Sequence, residues 1–64
     1  MVKINGIEQD AAGTTLTDWL ESADYHLEQI VVERNEAIVP KAQYGETVME
    51  DGDIIEIISF MGGG

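Results

Sequence analysis

One stretch of this chain has the periodicity of an amphipathic helix. In AAGTTLTDWLESA, Leu16, Trp19, Leu20 and Ala23 recur at i, i+3, i+4 and i+7, the spacing that lines one face of a helix. Gly13 breaks the pattern before it, and Thr14 or Thr15 is placed to cap the first turn. Asp18 in that turn complements the positive end of the helix dipole. The remaining apolar runs are short and β-branched, so this helix has to find its packing partner in a sheet.

The strands bracket it. VKIN, Asn5-Gly6 and IEQ read as a hairpin, because Asn-Gly readily adopts the pair of positive φ angles that a type I′ turn requires. IVVER, a turn at Asn35-Glu36 and AIV leading into Pro40 read as a second hairpin. KAQYGETVMEDGD is mostly irregular, with one short helical turn around Lys41 to Tyr44 and a strong turn at Asp51-Gly52-Asp53. IIEIISF forms the last strand. Two hairpins, a helix between them and a final strand predict an α+β domain with one helix on one face of a small sheet.

The last strand alternates. Ile55, Ile57 and Ser59 share one side; Ile54, Glu56, Ile58 and Phe60 share the other. If the first set faces the helix, Ile58 and Phe60 stand on the outer face. There they either form a docking patch or lie under the VMEDGD loop, and the sequence leaves both readings open.

Sixty-four residues make one domain. A chain this short buries only about 60% of the surface it exposes when unfolded. With no cysteine and one histidine, His26, it has neither a disulfide nor a thiolate metal site, so the core has to be apolar. A 44% hydrophobic content allows that and fits a compact globular domain better than a disordered chain. MVKINGIEQD lacks the apolar region of a signal peptide, and IIEIISFM, broken by Glu56, is far short of a membrane span. The expected location is the cytoplasm, away from any membrane.

Three basic residues stand against thirteen acidic ones, for a net charge of −10. Nucleic-acid binding is excluded on that balance, since it draws on lysine and arginine. The charge suits a basic protein partner, and it equally serves solubility.

The side chains offer little chemistry of their own. Ser22, Asp24 and His26 name the members of a hydrolase triad, but their i, i+2, i+4 spacing at a helix end does not converge them. Asp51 and Asp53 lack the further ligands of a calcium loop and read as turn residues. Trp19 belongs to the helix's apolar stripe, and Tyr44 is expected to be partly buried with its hydroxyl in solvent. The terminal glycines precede no helix and so form no phosphate loop. The chain is not expected to be an enzyme.

The three glycines at the end do carry a signal. With glycine near 7% of average usage, their coincidence at one position has a chance on the order of a few in ten thousand. An expression scar or a frayed end accounts for it in one reading. In the other, residues without a Cβ let an extended tail thread a channel too narrow for side chains, leaving a terminal carboxylate as the reactive group.

With Asn-Gly in the first hairpin, the helix at LTDWLE, N-x-x-I-V-P at Asn35 to Pro40, D-G-D at Asp51 to Asp53 and a Gly63-Gly64 end, the whole chain resembles the ThiS/MoaD-type family of ubiquitin-like sulfur carriers. The resemblance is strongest to its thiamine-biosynthesis branch. It implies a β-grasp fold over 1–64, with the first and last strands adjacent and parallel in a mixed sheet, and a flexible tail over 60–64. It implies that Gly64 is the modified residue and that Gly62 and Gly63 thread a partner's active site; Ile58 and Phe60 from the strand's outer face, with Met61, are the candidate docking patch for such a partner. The implied partners are an E1-like adenylyltransferase of the ThiF type, which uses ATP, a sulfur donor such as a cysteine desulfurase, and a thiazole synthase of the ThiG type. The carrier itself would bind no cofactor. Carriers for molybdopterin synthesis or tRNA thiolation, and an unmodified interaction module, are the alternatives.

Overall fold

A computed structural model describes residues 1–60. Strand β1 (Val2–Ile4) turns back into β2 (Ile7–Gln9); helix α1 (Leu16–Ser22) follows; then β3 (Ile30–Arg34) turns into β4 (Ala37–Ile38), and the chain closes on β5 (Ile54–Ser59). The sheet order is β2-β1-β5-β3-β4. Both hairpins are antiparallel. β5 lies between them, parallel to β1 through Lys3↔Ile54 and Ile4↔Ile55 and antiparallel to β3 from Ile30↔Ser59 to Arg34↔Ile55. A mixed sheet with the first and last strands side by side and one helix on one face is the β-grasp arrangement.

Local chemistry explains the turns. Asn5 (φ 51°) and Gly6 (φ 83°) both take positive φ, as do Asn35 (φ 51°) and Glu36 (φ 73°), so both two-residue turns have the twist that suits a right-handed hairpin. Glu36 does so against its Cβ, at a cost of about 1 kcal/mol. Thr15, rather than Thr14, caps the helix: its hydroxyl accepts from Asp18 N–H at 3.1 Å. The helix ends at Ser22, and Asp24 turns the chain away with φ 65°. Ala23, expected on the apolar stripe, is therefore exposed.

Leu16 and Leu20 from the helix meet Val2, Val32, Ile55 and Met49 in the fully buried centre of the core. Trp19 packs against this cluster half-buried, its ring 6.2 Å from that of Tyr25. Tyr44 departs from expectation. It is only 3% exposed, because the 3-10 turn at Lys41–Gln43 folds its ring inward and its carbonyl accepts from Thr17 N–H. A second 3-10 turn, Leu27–Gln29, lies in the DYHLEQ connection, where the sequence suggested no element. The irregular segment before β5 is also tied down. Leu16 N–H donates to Thr47, Met49 N–H donates to Thr14, and Gly13 N–H donates to Met49, which places the Met49 side chain in the core.

Candidate functional site

The architecture is arranged around β5. Its neighbours hold it through their backbones, and the two turn asparagines hold it again through their side chains. Asn5 Oδ1 accepts from Ile57 N–H at 2.7 Å, while Asn5 N–H donates to the Ile55 carbonyl at 2.9 Å. On the other flank, Asn35 Oδ1 accepts from Ile54 N–H at 2.9 Å, while Asn35 N–H donates to the Ile54 carbonyl at 2.8 Å. Each asparagine thus combines tolerance of positive φ with an amide oxygen that serves a β5 donor.

Just ahead of β5, Asp53 is the one buried charged residue among the described residues, at 7% exposure. One carboxylate oxygen accepts from Arg34 Nε at 2.9 Å, from Arg34 Nη2 at 2.9 Å and from Glu50 N–H at 2.9 Å; the other accepts from Asn35 Nδ2 at 3.1 Å. Burial pushes this carboxyl up. The bonds from Glu50 N–H, Asn35 and Arg34 and the Arg34 charge outweigh it and hold the group below its usual 3.8. Asp53 was read from the sequence as a turn residue. Its larger role, clamping the β3–β4 turn to the start of β5, escaped that reading because its partners lie 18 and 19 positions away.

At its far end β5 runs out of the sheet. Phe60 N–H donates to the Gln29 carbonyl at 3.1 Å, so the backbone is still tied at the residue where a flexible tail was expected to begin. Met61, Gly62, Gly63 and Gly64, the expected tail and reactive terminus, lie outside the described residues.

The strand's two faces separate as its alternation implies. Ile55 and Ile57 are buried under the helix, whereas Ile54, Ile58 and Phe60 are 49%, 48% and 56% exposed. Ile58 and Phe60 are not covered by the VMEDGD loop, which is instead drawn toward the helix through Met49 and toward Arg34 through Asp53. The register extends this outer face: Val31 stands opposite Ile58, Glu33 opposite Glu56, and Ile38, 67% exposed, opposite Glu33. Val31, Glu33 and Ile38 were not assigned to this face from the sequence, although period-two alternation along IVVER and AIV carries that signal.

No catalytic constellation forms among the described residues. The Ser22 hydroxyl donates to the Trp19 carbonyl at 2.7 Å, and His26 is exposed. No group of three or more His, Asp or Glu residues there is arranged to hold a metal ion. A depression of about 210 Å³ lies against Met1, Lys3, Glu8, Gly52, Asp53 and Ile54, at the end of β5 remote from Phe60.

Comparison with known proteins gives a consistent result. Residues 2–64 match the family model described as the ThiS family. The sulfur carrier protein ThiS of Bacillus subtilis is 36% identical over the full length of both chains. A thiazole synthase of Magnetococcus marinus is 41% identical over 98% of this chain, which spans only 20% of that protein's length. The crystal structure of a thiamine biosynthesis protein (ThiS) from Geobacter metallireducens superposes with a TM-score of 0.77 at 30% identity, covering 98% of this chain and 97% of that one.

Proposed function

Because this chain belongs to the ThiS family, we propose that it is a sulfur carrier of thiamine biosynthesis whose chemistry takes place at Gly64. The Gly64 carboxylate attacks the α-phosphorus of ATP on an E1-like adenylating enzyme, pyrophosphate leaves, and an acyl-adenylate forms. A carboxylate is a poor electrophile, and the adenylate supplies the leaving group it lacks. The terminal sulfur of a persulfide, such as one carried by a cysteine desulfurase, then attacks the acyl carbon and displaces AMP, and a thiol reduces the resulting acyl disulfide, which releases the thiocarboxylate and leaves a disulfide on the donor. The resulting thiocarboxylate is easily ionised and strongly nucleophilic, and it passes its sulfur to a thiazole synthase. In this scheme the chain is cargo and handle rather than enzyme; ATP is bound by its partner, and the carrier binds no cofactor.

One structural observation supports the reading above all. The strand leading to the glycines is the central one of the sheet, held on both flanks by backbone pairing and by Asn5 and Asn35. A rigid body thus presents a segment whose last three residues have no side chains. Ile58, Phe60 and Met61 are proposed as the patch that docks the body while Gly62 and Gly63 thread the partner's active site. Thiazole synthase is supported as a partner because a protein of that name carries, in one chain, a segment similar to this one. No helix among the described residues is long and apolar enough to cross a membrane, and we place the carrier with these partners in the cytoplasm.

The experiment is mass spectrometry after incubation with ATP, the cognate adenylating enzyme and a sulfur donor. A gain equal to the difference between sulfur and oxygen is expected, and deletion of Gly64 abolishes it without loss of fold. An unchanged mass under conditions that modify the Bacillus subtilis carrier would overturn the proposal.

A further inference from the structure

The outer face of the sheet contains an electrostatic conflict. Glu33 of β3 is directly opposite Glu56 of β5, where side chains on one face have Cβ atoms about 4.5–5.5 Å apart and like charges destabilise the pairing. Among the described residues the ion pairs are Met1 with Asp51 and Arg34 with Asp53, so neither carboxylate is in an ion pair, although Lys3, opposite Ile54, stands on the same face. Exposed apolar residues flank them: Ile38 across from Glu33, and Ile54 and Ile58 on either side of Glu56, with half-buried Val31 beside Ile58. Acidic residues that serve only solubility gain nothing from facing each other within an apolar field.

We infer that this face receives one arginine of a protein partner, its planar guanidinium spanning the Glu33 and Glu56 carboxylates while apolar side chains around it cover Ile38, Ile54 and Ile58. The inference rests on the reading of this chain as a sulfur carrier and commits to thiazole synthase as the occupant. A guanidinium presents donors in a fixed fork and is weakly hydrated, which suits two carboxylates held side by side in an apolar setting. A second copy of this chain does not fit: it would bring another Glu33–Glu56 pair and another −10 charges to the same surface.

The test is calorimetric titration of the full chain into the cognate thiazole synthase at low and physiological salt. The variants are E33Q/E56Q and, as a control with the same change in net charge on the helix side, E21Q/E46Q. For E33Q/E56Q the Kd is expected to rise on the order of tenfold or more and its salt dependence to flatten, while the free variant melts at a higher temperature than the control. E21Q/E46Q should keep a Kd close to wild type. Equal Kd values and salt slopes for the two double variants would overturn this inference alone, leaving the Gly64 mass shift and the carrier reading intact. Absence of wild-type binding would overturn it together with the choice of thiazole synthase as partner. Wild-type self-association that E33Q/E56Q alters would overturn it in favour of a second copy.

Discussion

Asn35 and Asp53, 18 positions apart, close a reciprocal contact: Asn35 Nδ2 donates to Asp53 Oδ1 at 3.1 Å, and Ile54 N–H, next in the chain, donates back to Asn35 Oδ1 at 2.9 Å. The amide of one turn thereby fixes the register at which β5 enters the sheet. Asn35→Ala should destabilise the protein by about 2 kcal/mol, losing two hydrogen bonds and placing a Cβ-bearing residue with no local partner at φ 51°. Asn35→Gly removes only the bonds and should cost about 1 kcal/mol. Urea unfolding separates the two; equal losses would show that the amide contributes nothing.

Asp53 makes stability depend on acid. Its folded carboxyl lies below 3.8, so the unfolded chain binds the proton first as pH falls. The contribution is complete above that value and disappears as pH drops through the lower folded-state value. Asp53→Asn should cost about 2 kcal/mol at neutral pH by leaving Arg34 without its carboxylate. The gap to wild type should narrow below pH 3.8 in a series of urea midpoints; a gap constant with pH would refute this assignment.

Glu36 occupies a left-handed position (φ 73°) that the first hairpin gives to a glycine. Glu36→Gly should therefore raise stability by about 0.5–1 kcal/mol, readable as a higher thermal midpoint. A lower midpoint would mean that the Glu36 side chain makes a compensating contact.

The two faces of β5 should respond oppositely to one substitution. Ile55→Ala opens a hole in the core beside Leu16 and Leu20 and should cost about 3 kcal/mol or more. Ile58→Ala, on the exposed face, should change stability by less than about 0.5 kcal/mol while slowing thiocarboxylation, as a docking residue would. An unfolding curve and a time course of the mass shift test both parts, and an unaltered time course removes Ile58 from the docking surface.

Much of this was legible in the residues. Leu16, Trp19 and Leu20 announce the helix through their spacing, Asn5-Gly6 announces a hairpin, and the alternation in IIEIIS predicts which isoleucines are buried. Tyr44, Met49 and Ala23 were less readable. Whether each is buried or exposed depends on where a 3-10 turn, a pairing beside the helix start and a left-handed residue direct the chain, and no local periodicity reports those.

The motifs N-x-x-I-V-P and D-G-D could be recognised as separate marks along the chain, because turn chemistry is local and survives in residue type and spacing. That Asn35 bonds Asp53, that Asn5 reaches Ile57 and that Glu33 confronts Glu56 was decided only by strand order and register. Hydrogen bonds and charge repulsion act over a few ångströms in space, and a sheet that seats its last strand between its first and third brings together polar groups up to 52 positions apart.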